Sequence, residues 1–333
     1  MRLAIRHISR FRFEDHVMHV LQRLRLRPQS GPGQTVRAWQ VTIDGVEAGL
    51  SYADGLGNQI NLVRHERATR PEIVIVAAGV VETQDRAGIV GPNDGYAPPW
   101  IFERETELTR AGERIRSLIA AQPPEHRGLD ALHWLMGEVH DRIAYAPDAA
   151  ATAPEEAESV LSEGAGTSRD HAHVFIAAAR ALDIPARYIC GYLLADGAAQ
   201  RMADAMQHAG GEQQEQKQEQ EQEQSAGINM SLETGATSTT SATMLPARRA
   251  QDDARDDARA VALALPACGH AWAEAHVDGL GWVGFDPFMN RCPDERYVRV
   301  ATGFDYRDTQ PVTGPGTQTL GIEISVVQSP ELV

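Results

Sequence analysis

Residues 166–173 read Gly-Thr-Ser-Arg-Asp-His-Ala-His, a glycine-containing turn that runs directly into a helix. Thr167 followed three residues later by Asp170 is typical of a helix start, where the two side chains hydrogen-bond to the first backbone N–H groups. Ser168 is therefore expected in the first helical turn, where unpaired N–H groups and the helix dipole favour developing negative charge. Such a position suits a nucleophile and the oxyanion that its attack creates.

Beyond Ser168 the sequence predicts a helix and then a strand. The helix has one apolar stripe, which consists of Ala172, Phe175, Ile176, Ala179 and Leu182. Pro185 ends the helix, and Arg187–Leu194 reads as a strand.

Two later segments supply a base and a carboxylate. They read Gly-His-Ala-Trp-Ala-Glu-Ala-His over 269–276 and Gly-Trp-Val-Gly-Phe-Asp-Pro over 281–287. A period of two puts four side chains on one face of the first strand: His270, Trp272, Glu274 and His276. A three-residue turn over 278–280 would set Trp272 opposite Asp286, with His270 as the diagonal neighbour of Asp286. Ser168, His270 and Asp286 are therefore predicted to form a triad.

Together these segments resemble the transglutaminase-like superfamily, whose core has the papain-like fold. In its bacterial members the pattern is Gly-x-Cys-x-Asp-x-Ala-His, Ile-Pro-Ala-Arg-Tyr with Gly-Tyr-Leu, His-Ala-Trp, and Gly-Trp-x-x-x-Asp-Pro. The matching ranges here are 166–173, 184–193, 270–272 and 281–287, and the stretch 294–303 is similar as well. The resemblance implies that His270 is the base and Asp286 its orienter. It also implies action on amide or peptide bonds of a peptide or protein substrate, by hydrolysis or acyl transfer, with no cofactor.

One position departs from the family pattern, because Ser168 stands where the resemblance implies a Cys nucleophile. A Cys beside a His can rest as a thiolate, since its pKa lies near 8.5 and is easily lowered. A Ser hydroxyl must instead lose its proton during attack. Ser-His-Asp is nevertheless a competent triad on several folds. Two hypotheses therefore stay open: a working serine enzyme, and an inactive protein that binds a peptide or protein partner in the retained cleft.

Other interpretations of the candidate residues remain. Ser168 alone could be a simple helix-start residue. Cys268, two residues before His270, is the candidate for a relocated thiol, whereas Cys190 and Cys292 are expected to be structural. His270, Glu274 and His276 could face a metal, but six residues of strand span about 20 Å, too far for joint ligation. We therefore predict no metal site.

The first eighty-five residues are predicted to form a β-rich domain. In 18–27, four apolar residues fall on one parity and the arginines on the other, which predicts a half-buried strand; the four are Met18, Val20, Leu24 and Leu26. Further strands are expected over 36–43, 50–53, 59–63 and 73–81, and short strands at this spacing indicate a small β-sandwich. The predicted fold class is α+β, with this sandwich-like domain before a papain-like core.

The predicted domain order is a β-rich domain over 1–85, a Gly/Pro-rich linker over 86–104 and the core over 105–333. Within the core, residues 196–262 contain a run of alternating Glu and Gln followed by a Ser/Thr/Ala-rich stretch. This composition cannot bury enough apolar surface to offset its ordering entropy, so the segment is predicted to be a disordered insertion.

Composition excludes some classes of partner. Asp and Glu number 46 against 31 Lys and Arg, and the net charge of −15 argues against nucleic acid, which requires a basic surface. The N-terminus lacks an apolar signal-peptide region, and no apolar stretch is long enough to span a bilayer. Three cysteines without a CxxC pattern fit a reducing compartment. A cytoplasmic bacterial protein is therefore expected, and its oligomeric state is left open.

Overall fold

The computed structural model describes residues 1–14, 18–66, 72–92, 97–146, 154–195 and 269–330. The insertion predicted over 196–262 lies outside these residues. Of the thiols weighed above, Cys268 is outside them too. Within the described part of the chain, no helix is long and apolar enough to cross a membrane.

The N-terminal region is built of strands, as predicted. They are β1 (Arg2–Phe13), β2 (His19–Arg27), β3 (Gln34–Ile43), β4 (Val46–Glu47), β5 (Leu50–Ala53), β6 (Gln59–Glu66) and β7 (Glu72–Thr83). In β2 the predicted alternation is confirmed for Val20, Leu24 and Leu26, which are buried. It is wrong for Met18, which is 56% exposed because the strand begins only at His19. The three buried residues pack in one hydrophobic cluster with side chains of β1, β3 and β7, so two sheets face each other across a shared core.

The remaining elements follow from residue 89 onward. The strands are β8 (Ile89–Gly91), β9 (Ala144–Tyr145), β10 (Ala165–Gly166), β11 (Ala186–Leu193), β12 (His270–Val277), β13 (Gly281–Phe285), β14 (Tyr297–Gly303), β15 (Val312–Thr313) and β16 (Thr317–Gln328). A short 3-10 helix covers Pro99–Glu103, and the α-helices are α1 (Glu113–Ala120), α2 (Leu129–Arg142), α3 (Ala157–Glu163), α4 (Ser168–Ala181) and α5 (Tyr306–Thr309).

Three antiparallel sheets and one short parallel pair organise these strands. The core sheet has the order β14-β11-β12-β13-β8, and β9 pairs with β10. The two N-terminal sheets have the orders β16-β1-β7-β3-β4 and β15-β2-β6-β5. The mixture of helices and strands confirms the predicted α+β class.

Three strands belong to other sheets than the predicted domain boundaries imply. β15 and β16 fall in the range 105–333 assigned to the core, yet they pair with β2 and β1 of the N-terminal sandwich. β8 falls in the predicted linker, yet it forms the edge of the core sheet beside β13. Pairing between strands so far apart in the chain depends on tertiary register, which local periodicity does not encode.

Helix α4 is the centre of the core. The sequence predicts one apolar stripe, but every residue from Ser168 to Arg180 is buried. Its polar side chains are paired instead of solvated; Arg180, for example, donates to the carbonyl oxygens of Phe102, Ala186 and Phe304. Small residues on β12 let the helix approach the sheet closely, and Phe175 stacks on Phe285 of β13 at 5.2 Å. This packing holds the start of α4 beside the ends of β12 and β13.

Candidate active site

Ser168 is the first residue of α4, as the helix-start signature predicts. The Asp170 carboxylate accepts hydrogen bonds from the backbone N–H and the hydroxyl of Thr167, both at 2.8 Å. A Cβ added to Gly166 would lie 2.8 Å from the Asp170 Cβ, so glycine is required where the turn passes this side chain. The capped turn therefore places the Ser168 hydroxyl at the positive end of a fourteen-residue helix.

Ion pairing stabilises this helix start. Arg169 Nε donates to Asp170 Oδ1 at 2.9 Å, and both side chains are buried. Burial opposes ionisation of Asp170, but Arg169 and the two donors of Thr167 outweigh it, so the pKa of Asp170 is lowered. The carboxylate stays charged and keeps the turn before Ser168 fixed.

The predicted register of the β12–β13 hairpin is confirmed. Val277 pairs with Gly281 across a three-residue turn, and Ala273 pairs with Phe285 at the other end. Continuing this register sets Asp286 opposite Trp272, with His270 diagonal to it. His270 Nε2 and Asp286 Oδ2 lie 2.6 Å apart, and both side chains are buried. With the Nε2 proton directed at the carboxylate, Nδ1 is the ring nitrogen suited to act as a base.

Ser168 lies against β12. Its Oγ accepts a hydrogen bond from the backbone N–H of Ala271 at 3.3 Å, one residue after His270. Ser168 on α4 thus contacts β12 one residue after His270, and His270 contacts Asp286 at the end of β13. Ser168 is 3% exposed, His270 1% and Asp286 0%, so the group sits in a largely dry environment. Hydrogen bonds and charges are stronger there than in water.

The Asp286 carboxylate has a further side-chain donor that sequence reasoning missed. Tyr297 donates its hydroxyl to Oδ2 at 2.8 Å, and the backbone N–H groups of Phe288 and Met289 donate to Oδ1 at 3.0 and 3.1 Å. Burial, followed by the charge of Asp286 and this hydrogen bond, raises the pKa of Tyr297, so the phenol remains protonated. Tyr297 lies in the stretch 294–303 that resembles the family, but the spacing of residues in the sequence does not predict that it contacts Asp286.

Aromatic rings enclose His270. Trp272 stacks on the imidazole with centroids 6.2 Å apart, and Phe288 and Tyr297 approach it edge-on at 5.9 and 5.8 Å. Gly191, directly opposite His270 in the sheet, makes room for this arrangement, since a Cβ there would lie 2.6 Å from Trp272. The rings fix the imidazole plane and exclude water from it.

The alternative thiol and metal interpretations find little support among the described residues. Cys190 is buried in β11, and burial raises the pKa of Cys292 to about 11, which makes it a poor nucleophile. On β12, Glu274 pairs with Arg187 and Arg299, while His276 meets the edge of Trp282. The His171 ring nitrogens hydrogen-bond to the carbonyl oxygens of Thr167 and Ile143. His173 Nε2 accepts a hydrogen bond from the backbone N–H of Tyr306. No group of three or more potential metal ligands occurs within the described ranges.

Comparisons with known proteins agree with this architecture. The description "Transglutaminase-like superfamily" matches residues 116–287, and "Bacterial transglutaminase-like N-terminal region" matches residues 3–82. A comparison with curated proteins finds no match.

Two solved structures are similar to the chain. One is a putative cysteine protease from Cytophaga hutchinsonii, with a TM-score of 0.65 and 14% identity over 100% of this chain and 92% of that one. The other is the periplasmic domain of TgpA from Pseudomonas aeruginosa, with a TM-score of 0.34 and 13% identity over 86% and 88% of the two chains. The first supports the predicted papain-like fold of the core.

Proposed function

Because the chain belongs to the transglutaminase-like superfamily, we propose that it cleaves amide or peptide bonds through an acyl-serine intermediate. Ser168 is the nucleophile, His270 the base and Asp286 its orienting carboxylate, and the substrate is a peptide or protein. The observation that carries this proposal is the 2.6 Å contact between His270 Nε2 and Asp286 Oδ2, beside a hydroxyl at the first residue of α4.

The first half of the reaction forms the acyl enzyme. His270 Nδ1 takes the hydroxyl proton as Ser168 Oγ attacks the carbonyl carbon, and the carbonyl oxygen becomes an oxyanion beside the N-terminus of α4. Asp286 stabilises the imidazolium that forms. When the tetrahedral intermediate collapses, the C–N bond breaks and His270 returns its proton to the leaving amine.

A second nucleophile then releases the acyl group. His270 takes a proton from water or from an amine, the new bond forms at the acyl carbon, and Ser168 regains its proton as its ester bond breaks. Water yields a carboxylate, which makes the protein an amidase or peptidase. An amine yields a new amide, which makes it an acyltransferase.

The second candidate function is peptide or protein binding without turnover, and one contact favours it. Ser168 Oγ already accepts a hydrogen bond from Ala271 N–H at 3.3 Å. Oxygen is also smaller than sulfur and has a shorter bond to Cβ. A site shaped for a thiolate would hold the hydroxyl too far from the carbonyl carbon, and small misplacements cost orders of magnitude in rate.

The test compares the wild-type protein with Ser168→Ala and Ser168→Cys. Each is incubated with a peptide library, with and without a primary amine, and products are identified by mass spectrometry. Ser168→Ala is the matched control, because it removes only the hydroxyl from a buried helix start. We expect wild-type turnover that is lost in Ser168→Ala, with an acyl-enzyme mass on Ser168.

Each other outcome selects a different assignment. Silence in the wild type with turnover in Ser168→Cys would favour the binding protein, since one atom would then separate it from an enzyme. Turnover that survives in Ser168→Ala would contradict the triad and redirect attention to Cys268.

A further inference from the structure

A cavity of about 340 Å³ lies on the face of the core sheet that carries Trp272 and Tyr297. Its other walls come from the turn 29–34 between β2 and β3 and from the segment that contains Arg86 and β8. The three triad residues are not among its lining side chains. The Ser168 hydroxyl therefore does not line the cavity. Trp272 and Tyr297 contact both the cavity and the His270 ring.

Two arginines and one glutamate form the charged wall of this cavity. Arg187 Nε donates to Glu274 Oε2 at 2.7 Å, and Arg299 Nε lies 3.1 Å from Glu274 Oε1. Two cations share one carboxylate, so the trio has a net positive charge. Burial lowers the pKa of Arg187 to about 10, with Glu274 opposing and Arg299 adding to the shift, so this guanidinium stays charged at neutral pH.

The remaining charged groups around the cavity increase this positive character. Arg86 also lines it and has no acidic partner among the described residues. Asp294, the other acid in the lining, is paired with Arg296. The cavity is therefore positive within a chain whose net charge is −15. Such a local field attracts anions.

Several donors in the wall have unused capacity. Arg299 is 36% exposed in its side chain and donates through Nη2 to Thr302 Oγ1, but Nη1 has no hydrogen-bond partner among the described residues. Trp282 also lines the cavity, and its buried Nε1–H has no acceptor within the described ranges.

The shape of the cavity is held by the protein itself. Gln34 Nε2 donates to the carbonyl oxygen of Arg299 at 2.9 Å, and the N–H of Arg299 donates to Gln34 Oε1 at 2.9 Å, so the 29–34 turn is fastened to β14. Arg187 stacks on Trp282 at 3.9 Å. Walls that are already fixed lose little freedom when a ligand enters.

We propose that this cavity binds a small organic carboxylate with an apolar body. Arg299 Nη1 can donate to a carboxylate oxygen, and Arg86 adds positive charge at the rim. Trp272, Tyr297 and Pro293 provide apolar surface for the body of the ligand. The volume fits a molecule the size of one or two amino acids.

Isothermal titration calorimetry with N-acetylphenylalanine tests the proposal, and quenching of tryptophan fluorescence is a second readout because Trp272 and Trp282 line the cavity. We expect binding at roughly millimolar Kd or tighter, weakened by added salt. The neutral amide of the same compound and inorganic phosphate separate the charge from the apolar body, and both should bind at least about tenfold more weakly.

Variants of the full chain test whether N-acetylphenylalanine binds at Arg299 and Arg86. Arg299→Gln should weaken N-acetylphenylalanine by about tenfold or more. Arg86→Gln, at an exposed residue that forms no ion pair with the described part of the chain, should weaken it to a smaller extent and keeps the test valid if Arg299→Gln is unstable. Arg12→Gln, which breaks an exposed pair with Glu72 elsewhere, is the matched control and should change nothing.

Three results would overturn the proposal. Equal binding of the amide would remove the role of charge, and equal binding of phosphate would remove the role of the apolar body. Unchanged affinity in both Arg299→Gln and Arg86→Gln would move the ligand to another surface. None of these readouts requires turnover, so they are independent of the proposed enzymatic function.

Discussion

Two buried carboxylates lie close together on the core sheet, and the protein treats them in opposite ways. Glu274 on β12 is held by two arginines, so its charge is more than neutralised. Asp286 is held by the imidazole of His270, the phenol of Tyr297 and two backbone N–H groups. These donors solvate the anion without cancelling its charge.

The difference indicates which carboxylate can support catalysis. A base that gains a proton during the reaction needs a nearby negative charge that is still available, and Asp286 offers one to His270. Glu274 has no such charge to offer, because Arg187 and Arg299 already use it. The nature of the donors around a buried acid thus separates a catalytic role from a structural one.

The largest effect is expected when the negative charge of Asp286 is removed. Asp286→Asn keeps the shape of the side chain but removes the negative charge and the preferred tautomer of His270, so kcat should fall about 10⁴-fold. Steady-state rates are measured in the wild type or, if only that variant turns over, in the Ser168→Cys background.

Asp54→Asn is the matched control for that variant. Asp54 also accepts two backbone N–H groups, from Leu56 and Asn58, but it lies in the N-terminal sandwich. Its kcat should equal that of the parent. A normal rate in Asp286→Asn would contradict the assigned role of this carboxylate.

The second effect concerns stability. Glu274→Gln leaves Arg187 and Arg299 side by side without their carboxylate, and breaking a buried pair costs about 3–5 kcal/mol. Urea unfolding should show this loss. In Glu323→Gln, which breaks an exposed pair with Arg10, the loss should stay below about 1 kcal/mol. A similar loss in both variants would mean that Glu274 is no more structural than a surface acid.

A smaller effect is expected when Asp286 loses the hydrogen bond from Tyr297. Tyr297→Phe removes one donor from a charged acceptor, a loss of about 1.5–3 kcal/mol, or roughly ten- to a hundredfold in kcat with KM unchanged. Tyr192→Phe is the control, because the Tyr192 hydroxyl bonds the His7 ring of β1 and not Asp286. A change confined to KM, or an equal fall in Tyr192→Phe, would make Tyr297 a structural residue only.

The smallest effect is a dependence of stability on acid pH. Burial opposes ionisation of Glu274, but Arg299 and Arg187 outweigh it and lower its pKa from the ordinary 4.5. A lowered carboxyl pKa contributes stability above the unfolded value, and that contribution is lost as pH falls below 4.5 and through the folded pKa. Urea unfolding from pH 6 to pH 3 should therefore decline less steeply in Glu274→Gln than in the wild type. Parallel declines would contradict the charge pairing of Glu274.

Much of the fold and of the candidate site could be predicted because the information is local. The Thr167–Asp170 spacing places Ser168 at a helix start, and the short turn at 278–280 determines the register that brings His270 beside Asp286. The alternation in β2 likewise depends on near neighbours alone. Each of these patterns lies within one element or one hairpin.

The features that sequence reasoning missed depend on distant register. Tyr297 reaches Asp286 because β14 pairs with β11, not because of any spacing between the two residues. The full burial of α4 could not be read from its polar residues, since Arg169, Asp170 and Arg180 find partners within the core. The cavity needs the turn 29–34 to meet β14, a contact between residues far apart in the chain.

The pairing of β16 with β1 has a consequence for the order in which the molecule assembles. Leu3 faces Gln328 in that ladder, so β1 finds one of its two neighbours only after the intervening core has been synthesised. β1 can pair with β7 in the meantime, while its other edge keeps a row of unpaired N–H and C=O groups. The sandwich is thus completed only after the core between its strands has been made, and the nascent chain is most prone to edge-to-edge aggregation in that interval.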